Sequence, residues 1–593
     1  MDKPMINITI DDRMVTVPRG TKIIDACKKV DITIPTLCYL EDVSSYGSCG
    51  VCVVEVEESP RLVRSCMHVA TEGMVIHTST PRVLNARKIN VELLLANHPL
   101  LCTTCTRNLN CELQQMALDL GVRESRFGRT KTTIEEKDTS SPSLIRDPNA
   151  CILCNRCVEV CESMQTVSAI QMTGRGLNTK VTTFLDGGLA NSPCTNCGQC
   201  ALVCPTGAIV EVSHEDEVFA ALADPNLTVL VQTAPAIRVG LGEAMGLGEG
   251  ALVTEQMVSA LRRLGFDKVF DTQFTADLTI MEEAHELIHR LTHSQPLPMI
   301  TSCSPGWIKF IETFYPDQTQ HLSSCKSPQQ MFGAVAKTFY AEQAKLDPRN
   351  VRVVSIMPCT AKKYEAGRSE MDGAFDYWKE RMNLGSDERF ADVDWVLTTR
   401  ELSRMLKRIG LDFERLEGSD FDDPLGASTG GAVIFANSGG VMEAALRTAV
   451  ETLTGDELVD VEFSDLRERQ GIREAALTIG ESTVKVAVAN TLANARVLLD
   501  QIKDGNSPYT FIEVMTCPDG CIGGGGQPIP STEEIRAKRI ASIYEEDRHK
   551  PIRKSHDNPS IQQLYTNFLD KPLSDLSHQL LHTHYTERDA YQW

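Results

Sequence analysis

Two short runs, "CILCNRCVEVC" at 151–161 and "CTNCGQCALVC" at 194–204, constrain this chain more than anything else in it. Each is C-x2-C-x2-C-x3-C, and the second is followed by Pro205. Segments this dense in thiols fold around metal rather than around a core of their own. In a tandem pair of this spacing, the fourth cysteine of each run ligates the cluster of the other. Cys151, Cys154 and Cys157 are therefore expected to pair with Cys204, and Cys194, Cys197 and Cys200 with Cys161. Two [4Fe–4S] clusters held this way lie close together, which suits electron relay.

The other cysteines follow the same logic. The chain has 21 of them in 593 residues, bunched at short spacings rather than spread as a bridge framework. That pattern reads as metal binding in a reducing compartment. A net charge of -21 argues against nucleic acid or an anionic membrane as partner. The first residues carry neither an apolar signal core nor twin arginines, and no apolar run is long enough to span a bilayer, so a cytoplasmic location is expected.

Residues 1–80 alternate apolar and polar at period two, with a turn at Asp11-Asp12, and predict a β-rich domain. Within it Cys38, Cys49, Cys52 and Cys66 form C-x10-C-x2-C-x13-C around the small-residue loop "SSYGSCGVC". Four thiolates here suit a [2Fe–2S] cluster better than a structural zinc. Cys27 reads as a buried helix residue. Residues 81–125 read as helical around His98, Cys102, Cys105 and Cys111, a set open to zinc or to a [4Fe–4S] cube with one imidazole ligand. Residues 126–147 are polar and read as a linker, and 148–215 hold the paired cysteine runs.

From about residue 216 the composition turns to ordinary α/β. "LTVLVQTAP", "VRVVSIMPC" and "TVKVAVAN" predict buried strands, "PYTFIEVMTC" a strand running into a cysteine turn, and 530–593 a helical tail wrapping the last domain. An electron wire needs a terminus, and five cysteines remain to form it: Cys303, Cys325, Cys359, Cys517 and Cys521.

Three stretches, "TSCSPGW" (301–307), "MPCTAKKYE" (357–365) and "EVMTCPDGCIGGGGQP" (513–528), closely resemble the signature motifs of [FeFe]-hydrogenases. The order of the N-terminal cysteine sets resembles the large clostridial-type form, and the resemblance spans essentially the whole chain. It implies an α+β multidomain protein: a β-grasp [2Fe–2S] ferredoxin-like domain, a small His/Cys3 cluster domain, a bacterial 2[4Fe–4S] ferredoxin domain and a large α/β catalytic domain over 216–593. It implies one [2Fe–2S] cluster, three accessory [4Fe–4S] clusters and an H-cluster, a cube joined through a cysteine sulfur to a two-iron CO/cyanide/dithiolate subsite. The reaction implied is 2H⁺ + 2e⁻ ⇌ H₂. By position, Cys521 matches the bridging ligand and Cys359 and Cys517 match cube ligands. Cys303 matches the proton-passing cysteine, Lys362 the cyanide-contacting residue with Ala234 and Pro235 beside the other cyanide, and Met357 and Met515 the apolar pocket.

Glu283, Glu286 and Arg290 fall on one helical face, and with Ser323 and Cys303 they suit a chain for protons. Taken without the resemblance, the same spacing describes a solvated face with an ion pair. The chain departs from the family at Ser304, where the family pattern has a cube-ligating cysteine. Three arrangements follow: Ser304 ligates, water or another group fills the site, or Cys303 turns inward and ceases to carry protons. Cys325 reads as a buried free thiol near this path.

The resulting expectation is a hydrogenase served by maturation proteins. Its electron partner is expected to be ferredoxin or an NAD(P)-reducing subunit, since no nucleotide site is visible here. The alternatives are a non-enzymatic iron–sulfur scaffold of the same lineage, or a low-turnover H₂ sensor.

Overall fold

The computed structural model describes residues 3–41, 43–129, 134–293, 295–455, 462, 471–479 and 482–591. At the N-terminus, Met5–Ile10 and Arg13–Pro18 form the expected hairpin, with Asp11 and Asp12 both in the left-handed region that such a tight turn requires. The hairpin extends into a five-stranded mixed sheet in which Met5–Ile10 pairs parallel with Val75–His77. The helix Ile23–Lys28 packs on that sheet, and Cys27 is buried in it. This is the ferredoxin-like β-grasp arrangement.

The helix Pro81–Asn97 follows. Thr80 caps it by accepting from the Val83 amide at 3.2 Å, and Pro81 fills the first turn, where no amide donor is needed. Residues 130–133 of the expected linker lie outside the described residues. The end of that segment is not a linker: Leu144–Arg146 pairs antiparallel with Ile209–Glu211, closing the cysteine-rich unit. Ser141 and Ser143 are buried there.

The catalytic region contains two sheets. In the first, Lys268–Asp271, Thr228–Thr233, Val351–Met357 and Trp395–Thr398 run parallel in that order. In the second, Met299–Ile300, Phe511–Met515 and Ser482–Asn490 run parallel, with Ile472–Ile479 antiparallel at the edge. Strands buried on both faces read as continuous apolar runs, which is why they were legible. Helix Thr272–Thr292 is buried along nearly its whole length, yet Thr275, Asp277, Glu282, Glu283 and Glu286 are polar. Asp271 caps its first turn by accepting from Gln273 N at 3.1 Å. The tail forms helices Glu533–His549, Pro559–Leu564 and Asp575–Leu581, then pairs Cys325 with His582 as an antiparallel bridge.

Candidate active site

Parallel sheets present their functional groups at the carboxyl ends of the strands, and the signature motifs sit there. Ala234-Pro235 follows Thr228–Thr233, and Cys359 follows Val351–Met357. Thr516-Cys517 follows Phe511–Met515, and Cys303 follows Met299–Ile300. The chain rises from each strand into one shared space, where the Cys517 thiol has Cys359 and Cys521 for neighbours. Ala234, Met357 and Met515 are buried, and Met515 shares an apolar cluster with Cys303.

On one side of this space stands the second cysteine run. Thr360 Oγ1 donates to the Asn196 carbonyl at 2.7 Å, Gln199 Nε2 to Gly523 O at 2.8 Å, and Gln165 Nε2 to Thr516 O at 3.0 Å. A Cβ on Gly525 would lie 2.3 Å from the Cys197 carbonyl, so only glycine permits this approach. Cys197 is accordingly among the neighbours of Cys517. None of Gln165, Gln199, Thr360 or Thr516 was singled out from sequence, though Gln199 lies inside a cysteine run and Thr360 and Thr516 lie inside the signature motifs.

The thiols of the paired runs lie near one another in two groups. A small apolar cavity is lined by Cys151, Cys154, Cys157 and Cys204. Cys197 and Cys200 have Cys194 and Cys161 beside them. Leu153 and Asn155 of one run and Asn196 and Gly198 of the other are all left-handed, so the two loops share one backbone path. That path aims amides at sulfur: Leu153 N donates to Cys151 Sγ at 3.4 Å, Asn196 N to Cys194 Sγ at 3.4 Å and Ala169 N to Cys161 Sγ at 3.3 Å. In the N-terminal domain Cys38 and Cys49 approach to 3.4 Å, and Cys52 and Cys66 to 3.3 Å. His98 keeps a buried Nδ1 without a protein partner, and burial pushes its imidazole below the usual range.

These are the marks of iron–sulfur ligation. Burial pushes the Cys157, Cys200 and Cys517 thiols up, and neighbouring thiols push them further. A group of buried thiolates is stable only against positive metal, and the convergent amides favour a cluster whose sulfurs accept hydrogen bonds.

Both N-terminal sets meet the first cysteine run. Arg156 lies within electrostatic reach of Cys38 and Cys154. It also donates to Glu112, beside Cys111, at 2.8 Å. Cys111 Sγ lies 3.5 Å from the carbonyl of Pro205, the residue after Cys204, and Gly207 packs on Cys105.

Cys303 has Glu283, Lys362 and Cys521 as charged neighbours, and burial pushes its thiol up. Lys362 Nζ donates to Cys303 O at 3.0 Å and to Glu365 at 3.0 Å. Glu283 is fully buried and neither of its oxygens has a protein hydrogen-bond partner. Burial and then the Glu286 carboxylate raise its pKa to about 8. Ser323 Oγ donates to Glu286 Oε2 at 2.9 Å, and Arg290 Nη2 to Glu286 Oε1 at 2.6 Å. Glu283, Glu286, Arg290 and Ser323 are thus buried, not a solvated face. Ser304 points elsewhere: its hydroxyl lies 2.8 Å from Thr516 Oγ1, next to Cys517. Cys325 is buried, with Sγ 3.8 Å from Glu286 Oε2.

Comparison with known proteins agrees along the whole chain. Residues 227–525 match the C-terminal domain of the iron only hydrogenase large subunit, and 533–588 match the iron hydrogenase small subunit. Residues 3–81 match a 2Fe-2S iron-sulfur cluster binding domain, 87–126 the NADH-ubiquinone oxidoreductase-G iron-sulfur binding region, and 150–208 a 4Fe-4S dicluster domain. The NADP-reducing hydrogenase subunit HndD of Solidesulfovibrio fructosivorans is 49% identical, with 98% of this chain and 99% of that protein covered. Iron hydrogenase 1 of Clostridium pasteurianum is 37% identical over 98% of this chain and 100% of its own. A solved structure of apo [FeFe]-hydrogenase HydA1 from Chlamydomonas reinhardtii superposes with a TM-score of 0.57 at 42% identity, covering 64% of this chain and all of that one. No helix among the described residues is long and apolar enough to cross a membrane.

Proposed function

The chain belongs to the [FeFe]-hydrogenases, and from that premise we propose how its own residues divide the reaction 2H⁺ + 2e⁻ ⇌ H₂. It is an iron hydrogenase with [2Fe–2S] and [4Fe–4S] clusters and an H-cluster. When bound, the two-iron subsite supplies the metal at which protons and electrons combine.

In this reading Cys359, Cys517 and Cys521 would hold the H-cluster. Lys362, Ala234 and Pro235 seat the polar ligands of the subsite, and Met357 and Met515 keep water from it. Cys161, Cys194, Cys197 and Cys200 would hold the cluster next to Cys517, and Cys151, Cys154, Cys157 and Cys204 the one beyond it, each supplying a one-electron carrier. The Cys38/Cys49/Cys52/Cys66 and His98/Cys102/Cys105/Cys111 sets are the entrances. Protons pass between Glu286, Ser323, Glu283 and Cys303, with Arg290 holding Glu286. A carboxyl raised to about 8 is protonated near neutrality and can both give and take a proton. Domains run over 1–80, 81–125, 148–215 and 216–593, the strand Leu144–Arg146 belonging with the third.

The observation that carries this reading is that two different sets of contacts reach the same cysteines. The Asn196–Gln199 loop is bonded to Thr360 and Gly523, and Cys303 adjoins Glu283 and Cys521. In this reading a proton reaches the centre through one set and an electron through the other.

HndD is named as a subunit of an NADP-reducing hydrogenase. We assign this chain the same kind of partner, a separate nucleotide-reducing subunit, in preference to ferredoxin, and a cytoplasmic location. The test is infrared spectroscopy in the CO and cyanide region on protein matured without oxygen. Sharp bands that move under H₂ are expected. Their absence with iron and sulfide bound would favour the scaffold reading.

A further inference from the structure

Glu286 is the outer end of the proton line assigned above, yet its partner there cannot release a proton. Arg290 binds Glu286 Oε1, and its remaining donors are spent on backbone carbonyls, including Leu322 O at 2.6 Å. A guanidinium stays protonated at any pH a protein meets. It fixes the carboxylate but does not relay.

Glu286 has a second neighbour that can. Ser324 N donates to Glu286 Oε2 at 3.0 Å, and Ser324 Oγ lies 3.3 Å from the same oxygen. That hydroxyl is also 2.8 Å from His582 Nδ1. His582 Nε2 is 3.1 Å from Glu282 Oε2. Glu282 in turn accepts from Tyr565 Oη at 2.6 Å and from Leu573 N at 2.8 Å. Burial alone would raise Glu282, but His582 and Tyr565 outweigh it and hold the carboxyl below its ordinary range. The imidazole is thus fixed at both nitrogens.

The backbone fixes it too. Lys326 N donates to Leu581 O and Thr583 N to Ser324 O, so 581–583 is laced to 324–326 as an antiparallel strap. On the solvent side the exposed ring of His578 packs against that of His582, centroids 4.3 Å apart. The remaining titratable groups about the imidazole are Glu282, Glu286, Cys325 and Tyr565.

We propose that Ser324 and His582 form the outer proton relay of Glu286, next to the exposed ring of His578. The inference rests on the reading of Glu286 as a relay group. The step moves two protons by one bond each. The Glu286 Oε2–H bond breaks as Ser324 Oγ–H forms, and the former Ser324 Oγ–H bond breaks as His582 Nδ1–H forms. Carboxylic acid and neutral imidazole become carboxylate and imidazolium, with Glu282 facing the new charge. An imidazole offers one donor and one acceptor nitrogen, as a relay position demands. During H₂ production the same shifts run inward.

The test uses the full chain matured without oxygen, with CO and cyanide bands confirming a loaded H-cluster. H₂ evolution is measured against pH for the parent, His582→Gln, His582→Ala and Glu286→Gln. Glutamine can keep the contact to Ser324 but cannot ionise. The relay predicts at least about tenfold slower turnover for His582→Gln with an altered pH profile. Imidazole added to His582→Ala should restore turnover, and added to His582→Gln should not. Parent-like turnover and pH profile in His582→Gln would overturn the relay, as would an imidazole-insensitive loss confined to His582→Ala, which marks a structural strap. If Glu286→Gln keeps full turnover, the inner line fails and the relay fails with it. If only Glu286→Gln is slow, the inner line stands and the relay alone is wrong.

Discussion

The hydroxyl of Ser304 lies 2.8 Å from that of Thr516, one residue before Cys517, while the adjacent Cys303 neighbours Glu283. Ser304 thus adjoins the Cys517 turn, whereas Cys303 has Glu283, Lys362 and Cys521 about it. An alkoxide or water beside that turn is a harder donor than thiolate. Ser304→Cys should raise the reduction potential of the cube and change its paramagnetic resonance signal. Redox titration of protein carrying the cube without the two-iron subsite checks this, and an unchanged potential would count against Ser304 facing the cube.

Glu283 should govern both rate and pH response. Glu283→Gln is expected to slow turnover by about 10²–10⁴-fold with the infrared bands intact. The carboxyl is raised to about 8 in the fold, above its unfolded value. Its contribution to stability is therefore complete at low pH and lost as pH rises toward 8, by about 1.4 kcal/mol for each unit crossed. Anaerobic calorimetry should find that Glu283→Gln loses less stability than the parent between pH 5 and 8.

His98 is assigned to a cube rather than to zinc. His98→Ala should cost about four irons per chain and one [4Fe–4S] resonance signal. Unchanged iron, with zinc found by elemental analysis of the parent, would reverse the assignment.

Arg400 joins the cysteine-rich unit to the catalytic domain. It donates to Glu211 at 2.6 Å and to Gln527 O at 2.6 Å, both inside the protein. Burial opposes ionisation of Glu211, but Arg400 and then Arg404 overcome it and hold the carboxyl far below the ordinary range. That stability is present above the unfolded value of about 4 and is lost as pH falls below it. Arg400→Ala should destabilise by about 3–5 kcal/mol, because it leaves a buried charge with one partner fewer. Denaturant unfolding of the variant measures the loss.

Cluster ligands were legible because a cluster recruits most of its thiols from one short loop. The catalytic strands were legible because sheets covered on both faces must be apolar throughout. The contacts that turn these parts into a circuit were not. Gln199 meets Gly523, Gln165 meets Thr516 and Ser324 meets His582 across hundreds of residues. A lone glutamine or serine carries no periodicity to announce such a meeting. The strand Leu144–Arg146 was hidden for another reason: three residues inside a Ser/Pro-rich stretch are too few to show alternation.

The meeting of two cluster sets at Arg156 and Pro205 has a consequence for supply. In the division of roles proposed above, two tributaries join upstream of a single channel, and a donor at either surface would fill the same centre. Silencing the Cys38 branch by Cys38→Ala should leave H₂/D₂O exchange at its parent rate, since exchange draws on no outside electrons. Only delivery from the donor that lands on that branch should suffer.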